Sequence, residues 1–222
     1  MKQNRDYIPA LHFDWLTPWY DLFIGRLYPE ARLKQSLIDQ ADIQLSHKVL
    51  DIGCGTATLT LRIKQTQPAA QVYGLDVDTK ILDIARNKAR QTGADIILDL
   101  GTATRLPYPD QSFNHVFASL MLHHLVREDK QRMLGEAFRI LKPDGELHVA
   151  DFGAPHNRRM FLISLVIRWL EETSDAIHGL LPKFMEEAGF NPVEETACYA
   201  TIFGTIRLYR ARRPSGKAGE LS

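Results

Sequence analysis

Residues 49–57 read Val49-Leu50-Asp51-Ile52-Gly53-Cys54-Gly55-Thr56-Ala57. In this stretch a short apolar run ends in an acid, two glycines follow one residue apart, and a helix-like pattern begins at Thr56. Because glycine has no Cβ and adopts positive φ, a flat or elongated small molecule can lie against such a loop and against the amides of the helix that follows. The stretch therefore predicts a strand, a turn and a helix that together form a nucleotide-type site.

The chain on both sides of this stretch alternates between strand and helix patterns. Strands are predicted at 47–51, 71–76, 95–99, 113–119 and 146–151, and helices at 30–42, 56–65, 79–92 and 128–141. Strict alternation indicates an α/β fold with a doubly wound, mostly parallel, Rossmann-like sheet. Two further β-rich runs, 192–199 and 202–210, have almost no connector, so they predict a hairpin that adds an antiparallel edge strand and brings the sheet to seven strands.

The remaining segments are expected to surround one core. Residues 1–45 are rich in aromatic side chains and are predicted to form a lid with a helix, before a main domain at 46–212. An insertion at 152–173 after the fifth strand carries an apolar helix at 160–170, a further helix is predicted at 174–188, and residues 213–222 have the composition of a flexible tail.

Charge and cysteine content disfavour a nucleic-acid substrate, a zinc site and a disulfide framework. The 222 residues contain 27 Lys and Arg against 27 Asp and Glu, so the chain has no electrostatic footprint for nucleic acid. The two cysteines, Cys54 and Cys198, have no CxxC partner or nearby His at metal spacing, so neither a metal site nor a disulfide is expected. This cysteine usage fits a reducing cytoplasm.

No stretch has the pattern of an export signal or of a membrane span. The N-terminus carries charged and polar residues where a signal peptide has its apolar region. The apolar segment 160–170 is interrupted by Arg168 and is far shorter than the roughly 20 residues that cross a bilayer. It could still lie on a membrane surface or line an apolar pocket. The sequence gives no sign of oligomeric state.

Two acidic residues narrow the choice of ligand for the glycine loop. A dinucleotide site has a third small residue where this chain has Thr58. The pyrophosphate of a dinucleotide would also be repelled by Asp51, which lies two positions before the first glycine. A ligand with an ammonium group would be attracted, and S-adenosylmethionine has an ammonium, a sulfonium and no phosphate. Asp76 ends the second strand, where an acid can bind a ribose diol. Helix capping and strand termination are the structural alternatives for the two acids.

Four motifs in order carry a family resemblance: VLDIGCGTATLT, GLDVD, ATRLPYPDQSFNHVFASLMLHHL and EAFRILKPDGELHVADF. Together they resemble the class I S-adenosylmethionine-dependent methyltransferases, and most closely the branch that includes the quinone C-methyltransferases and many small-molecule enzymes. The resemblance covers roughly residues 46–152. It implies methyl transfer from S-adenosylmethionine to a small acceptor, and a sheet that includes an antiparallel strand.

The resemblance also implies roles for individual residues of the cofactor site. Four of them would hold the methionine end, namely Asp51, Gly53, Cys54 and Gly55. Asp76 would bind the ribose hydroxyls, with Val77 beside the adenine. Ser119 and Leu120, at the end of the fourth strand, would lie under the sulfonium.

One position departs from the family pattern. Many relatives carry Gly-Asp-Ala after the third strand, and the acid binds the adenine amino group. This chain has Gly101-Thr102-Ala103, which offers a backbone amide and a hydroxyl but no carboxylate. The departure either weakens adenine binding or transfers it to Asp99.

Candidate catalytic and lid residues lie on both sides of the cofactor motifs. His123 and His124 follow the fourth strand at the carboxyl edge of the sheet, where a histidine can act as a base if the acceptor must lose a proton. The structural alternative is that both only hold the loop. Tyr20 resembles the tyrosine of a Tyr-Asp segment at the cofactor entrance of related enzymes. The apolar cap predicts a lipophilic or aromatic acceptor.

Three other functions stay open from the sequence. One is a nicotinamide-dependent oxidoreductase, which Asp51 and Thr58 disfavour. Another is a cofactor-binding scaffold without catalysis, for which the Thr102 departure leaves room. The third is a macromolecular methyl acceptor, which the neutral charge disfavours.

Overall fold

The computed structural model of the chain describes residues 30–154, 179–201 and 204–216. Within these ranges it has seven strands, β1 (Lys48–Ile52), β2 (Gln71–Asp76), β3 (Ile97–Leu100), β4 (Phe113–Ser119), β5 (Leu141–Gly153), β6 (Val193–Thr201) and β7 (Gly204–Arg212). The α-helices of the same ranges are α1 (Glu30–Asp39), α2 (Thr58–Thr66), α3 (Thr79–Thr92), α4 (Arg127–Ile140) and α5 (Leu181–Glu187). A single 3₁₀ turn, Leu122–His124, lies between β4 and α4.

The strands form one seven-stranded sheet in the order β3-β2-β1-β4-β5-β7-β6. The first five strands are parallel, and β7 pairs antiparallel with β5 and with β6. The predicted α/β class, doubly wound sheet and terminal hairpin are therefore confirmed. The antiparallel strand β7 lies inside the sheet and β6 is the edge. Accordingly, six of the nine β7 residues are buried, whereas β6 is mostly exposed.

Two element boundaries differ from the predicted ones for local reasons. Helix α2 begins at Thr58 instead of Thr56, because Ala57 has a left-handed φ of 61° and keeps the loop open for two more residues. Strand β5 begins at Leu141 instead of Glu146. The predicted turn at 142–145 is part of the strand, where a positive φ of 62° at Asp144 accompanies a register shift against β4.

Several predicted segments lie wholly or partly outside the described residues. Most of the N-terminal lid, including Tyr20, falls in 1–29, and the apolar helix at 160–170 falls in 155–178. The helix predicted at 174–188 is described only from residue 179 onward. There it begins at Leu181, with Pro182 in its first turn, where proline is favoured. No helix in the described part of the chain is long and apolar enough to cross a membrane.

Apolar side chains cover both faces of the sheet. On one face α4 and α5 pack Leu134, Ala137 and Phe184 against strand residues such as Val116. On the other face α1 packs Leu33 and Leu37 against Phe117 and Leu208. The segment 30–41, which belongs to the predicted lid at 1–45, thus contributes to the core of the domain.

Two glycines with open surroundings allow a matched test of backbone conformation. Gly93 ends α3 with a left-handed φ of 64°, whereas Gly135 lies inside α4, and an added Cβ would meet no atom within 4 Å at either position. We expect Gly93→Ala to lower the free energy of unfolding by about 1 kcal/mol, because alanine is strained at positive φ. Gly135→Ala should raise it by roughly 0.5–1 kcal/mol. Urea denaturation measures both, and shifts of the same sign would contradict this account.

Candidate functional site

The loop between β1 and α2 is anchored to the carboxyl end of β2. The amides of Gly53 and Cys54 both donate to the carbonyl oxygen of Leu75, at 2.8 and 3.0 Å. Gly53 has a φ of 66°, and a Cβ added there would lie 2.9 Å from the Cβ of Met121. Both observations require glycine at position 53.

Gly55 faces open space and connects the loop to Asp76. It has a φ of 55°, and an added Cβ would meet no atom within 4 Å. Its amide donates to Oδ2 of Asp76 at 2.8 Å, while the amide of Asp78 donates to Oδ1 at 3.0 Å. Since each carboxylate oxygen can accept two hydrogen bonds, Asp76 holds the loop and still has acceptor capacity for a ligand hydroxyl on each oxygen.

Asp51 is a buried carboxyl group with little compensation for its charge. Only 1% of its surface is exposed, and the hydroxyl of Thr60 donates to Oδ2 at 2.7 Å. Burial raises the pKa of Asp51 to about 6, although the Thr60 hydrogen bond and the more distant Lys34 oppose the shift. A cation placed beside this carboxylate would remove the cost of its burial.

Exposed apolar side chains line the carboxyl ends of β2 and β3. Val77 follows Asp76 and is 53% exposed, and Leu100, which pairs with Asp76 across the two strands, is 54% exposed. Both offer apolar surface to a flat ring at this edge of the sheet. Sequence reasoning identified Val77 and missed Leu100, which only the strand register places beside Asp76.

The polar groups of the segment after β3 form hydrogen bonds with nearby residues. The amide of Gly101 donates to the carbonyl oxygen of Asp76 at 3.0 Å. The Thr102 hydroxyl lies 3.0 Å from that of Thr104, and Ala103 packs against the core. The hydroxyl of Tyr108 donates to Oδ2 of Asp99 at 2.8 Å, so this carboxylate already has a structural partner.

The end of β4 combines an unsatisfied hydroxyl with a strained backbone. Among the residues that the structure describes, Ser119 Oγ is the one buried side-chain polar atom without a hydrogen-bond partner. Leu120 has a φ of 55°, which is unusual for a branched side chain, and its amide donates to the carbonyl oxygen of Ala150 at 2.8 Å. Features of this kind are enriched at functional sites.

His123 forms a buried pair with Asp151, which ends the apolar part of β5. Nδ1 of His123 donates to Oδ1 of Asp151 at 2.8 Å. The amides of Phe152 and Leu122 donate to the same carboxylate at 2.7 and 2.8 Å. Burial alone would raise the pKa of Asp151, but the adjacent His123 and these amides together hold it below its usual value.

His124 differs from its neighbour in exposure. Its ring centroid lies 4.0 Å from that of His123, but its side chain is exposed, whereas His123 is 7% exposed. The structure thus separates the two candidate bases. Sequence reasoning assigned no role to Asp151, although an acid at the end of a strand is the same signal that identified Asp76.

The predicted site residues converge at one edge of the sheet. The glycine loop, Asp76, Ser119 and the histidines follow the carboxyl ends of β1, β2 and β4, and β1 lies between the other two. Cys54 is buried there, and burial raises the pKa of its thiol, which fits a filler of the loop. Such an edge is where open α/β sheets bind ligands.

Comparisons with known proteins also indicate a methyltransferase domain. Residues 49–145 match the family described as "Methyltransferase domain". The chain is 33% identical over 146 residues to a demethylmenaquinone methyltransferase of Thermus thermophilus, covering 64% of the chain and 65% of the relative. It is 40% identical over 150 residues to the demethylmenaquinone methyltransferase of Lactobacillus johnsonii, covering 65% and 61%. In both cases the match spans a little under two thirds of the relative.

A solved structure has the same fold at low sequence identity. The YcgJ protein of Bacillus subtilis superposes with a TM-score of 0.68 at 17% identity, covering 84% of this chain and 100% of that one. At this identity the likeness concerns the fold alone.

Proposed function

Because residues 49–145 match a methyltransferase domain, we propose that the chain is a class I S-adenosylmethionine-dependent methyltransferase that transfers a methyl group from S-adenosylmethionine to a small lipophilic or aromatic acceptor. The observation that best supports this proposal is the buried Asp51 carboxylate beside the glycine loop. The charge of this carboxylate would be stabilised by a cationic ligand. The ammonium group of S-adenosylmethionine would supply that charge.

The residues of the site fit this cofactor from end to end. Asp51 and the open side of Gly55 would receive the methionine end, and Asp76 has acceptor capacity for the ribose hydroxyls. Val77 and Leu100 would lie against the adenine. The unpaired Ser119 hydroxyl, at the end of β4, would meet the part of the ligand between these two ends.

Methyl transfer needs alignment and the exclusion of water more than it needs acid-base chemistry. When bound, S-adenosylmethionine would supply an electrophilic methyl group, with S-adenosylhomocysteine as the leaving group. The chain contributes a rigid edge: Leu120 is held by its hydrogen bond to Ala150, and Gly53 packs against Met121. The first contact fixes the end of β4 against β5, and the second fixes it against the end of β1.

His123 is the residue that would remove a proton from the acceptor. Its Nδ1–H is held by Asp151, which leaves Nε2 as the basic nitrogen of the neutral ring. Asp151 also stabilises the imidazolium that forms when Nε2 takes the proton. The same geometry makes Asp151 a positioning residue, because it acts on the acceptor only through His123.

The surroundings of this pair favour an apolar acceptor. Phe152, Leu181 and Phe184 border His123 and Asp151. An acidic hydroxyl on an aromatic ring beside His123 would lose its proton readily, and the ring would bury against these side chains. The demethylmenaquinone methyltransferases similar to this chain make quinol-type compounds the first acceptors to test.

Calorimetry with the full chain separates the proposal from its rivals. We expect S-adenosylhomocysteine to bind with a Kd in the micromolar range, about −8 kcal/mol, and NAD to give no heat. Labelled methyl from S-adenosylmethionine should then appear in a quinol or phenol acceptor. Tight NAD binding without S-adenosylhomocysteine binding would favour an oxidoreductase. Tight S-adenosylhomocysteine binding without methyl transfer to any acceptor would favour a scaffold.

A further inference from the structure

Three histidines and a glutamate form a buried cluster away from the glycine loop. His115 lies on β4, while Glu146 and His148 lie on β5, and all three are less than 9% exposed. His47 precedes β1 and is half-buried, and it extends the cluster toward solvent. His115 comes four residues before the end of β4, so the cluster is about 13 Å along the strand from the cofactor edge.

The contacting atoms of the cluster have the spacing of metal ligands. Nδ1 of His115, Nε2 of His148 and a carboxylate oxygen of Glu146 all lie within 4.8 Å of one another. The His115 Nδ1 to His148 Nε2 distance is 3.2 Å, and the His148 Nε2 to Glu146 Oε2 distance is 3.6 Å. Two ligands of a tetrahedral zinc ion with bonds of about 2.0–2.2 Å lie about 3.3–3.5 Å apart.

We propose that His115, His148 and Glu146 bind a divalent transition metal ion such as Zn²⁺, at a structural site separate from the cofactor edge. Two imidazoles and one carboxylate are a donor set that zinc accepts, with a fourth position left for water. The ion would join β4 to β5 on the face of the sheet that α1 covers.

The protonation states of His115 and His148 suit the binding of a metal ion. Burial, together with the neighbouring His47, lowers the pKa of His115 to about 4, and burial with His115 and Arg210 nearby lowers that of His148 well below its usual value. Both rings are therefore neutral at pH 7 and have a lone pair to offer. Arg212 donates to Oε1 of Glu146 at 3.1 Å, which leaves Oε2 to face the histidines.

A hydrogen-bond chain orients the ring of His115. The amide of Gln44 donates to Nδ1 of His47 at 3.1 Å, so that nitrogen carries no proton. His115 Nε2, which is 3.0 Å from the same nitrogen, must then be the donor. In a neutral ring this assigns the lone pair of His115 to Nδ1, the atom that faces His148 and Glu146.

His148 is the residue that changes on metal binding. Without the ion its Nε2–H donates to His115 Nδ1, and its own Nδ1 accepts from the side-chain amide of Gln40 at 3.1 Å. With the ion at Nε2 the proton moves to Nδ1, and the Gln40 amide turns to present its oxygen. The turn of Gln40 also takes a donor away from the carbonyl oxygen of Tyr209, and the Thr196 hydroxyl, which donates to Gln40 Oε1 without the ion, would have to accept from the amide instead.

A cavity lies beside Glu146, the carboxylate of the cluster. The cavity, of about 140 Å³, is lined by Glu146, Glu194, Arg210 and Arg212, together with Pro192. Arg210 is paired with Glu194 at 2.7 Å, so the walls carry balanced charge. The sequence spacing gave no sign of this site, because its ligands come from two strands and include no cysteine.

Cobalt is the probe that tests the proposal, because Co²⁺ in a four-coordinate site absorbs visible light. We expect the chelator-treated full chain to bind one equivalent of Co²⁺ and Zn²⁺ to displace it. Glu146→Gln and His148→Gln should each weaken binding at least tenfold. His47→Gln, which removes only the partner of His115, should weaken it by about tenfold. Cys198→Ser, at an exposed cysteine, is the control and should bind as tightly as the unchanged chain.

A second measurement needs no variant. X-ray absorption at the zinc edge of the loaded chain should show two imidazole ligands and the remainder oxygen. The absence of one bound equivalent, or equal affinity in Glu146→Gln, would overturn the proposal and leave a histidine chain held by hydrogen bonds alone. Neither outcome bears on the proposed methyl transfer, which is measured by S-adenosylhomocysteine binding.

Discussion

Asp51→Asn is expected to weaken S-adenosylhomocysteine binding at least tenfold while making the free chain more stable. Asparagine can still accept the hydrogen bond from Thr60, so the packing is kept and only the charge is lost. Burial raises the pKa of Asp51 from 3.8 to about 6, which corresponds to a cost of about 3 kcal/mol for the ionised form. The stability gain at neutral pH should be on the order of 1–3 kcal/mol.

The pH dependence of Asp51 has opposite signs for folding and for binding. Between pH 3.8 and about 6 the folded chain binds more protons at Asp51 than the unfolded chain, so this residue favours folding as the pH falls. The ligand ammonium favours the carboxylate, so affinity should fall below about pH 6, by up to tenfold per pH unit. Asp51→Asn should remove this dependence.

Calorimetry at about pH 5, 6 and 7 measures the binding, and urea denaturation measures the stability. Glu146→Gln is the matched control, since Glu146 is another buried acid but lies in the first half of β5, away from the carboxyl edge of the sheet. Its affinity for S-adenosylhomocysteine should equal that of the unchanged chain. If Asp51→Asn binds as tightly as the unchanged chain at neutral pH, Asp51 does not face the cofactor.

His123→Asn is expected to lower kcat by about 10²–10⁴-fold with an acceptor that loses a proton, and to leave S-adenosylhomocysteine affinity nearly unchanged. In the proposed mechanism the pair with Asp151 keeps the ring proton of His123 on Nδ1, so that Nε2 would accept the proton of the acceptor. His124→Asn is the matched control. Its side chain is exposed, and we expect a loss of less than tenfold. Equal losses in the two variants would contradict the assignment of the base.

Asp151→Asn tests the positioning role separately from the base. The amide group of asparagine can donate to Nδ1 of His123, which would move the ring proton to Nε2 and remove the basic nitrogen. We expect kcat to fall with KM for S-adenosylmethionine unchanged, and stability to fall by about 1–3 kcal/mol because the amides of Leu122 and Phe152 lose a charged acceptor. Steady-state kinetics with both substrates separates the two effects.

Sequence reasoning was most successful where the signal is local. The helix predicted at 79–92 has these bounds in the structure, where Asp78 caps it by accepting from the amides of Lys80 and Ile81 and Gly93 ends it. The glycines and Asp76 are close in sequence to the strands that place them. Residues that act through strand register were missed: Leu100 and Asp151 gain their positions only from the pairing of β2 with β3 and of β4 with β5.

The histidine cluster is a stronger example of residues that sequence reasoning misses because strand register brings them together. His115 and Glu146 are 31 positions apart yet face each other as register partners, and His148 follows on the same side of β5. Each histidine alone has the pattern of a buried strand residue. Their chemistry depends on which strands are neighbours, and that is decided by the topology of the whole sheet.

The contact between Gly53 and Met121 constrains how this site can vary in evolution. The near atom is the Cβ of Met121, which every residue except glycine possesses, so a shorter side chain at position 121 would not make room for a Cβ at position 53. Exchange of Gly53 therefore requires glycine at 121 as well as tolerance of a positive φ. Sequences that share this packing should show the two positions covarying, with at least one of them always glycine.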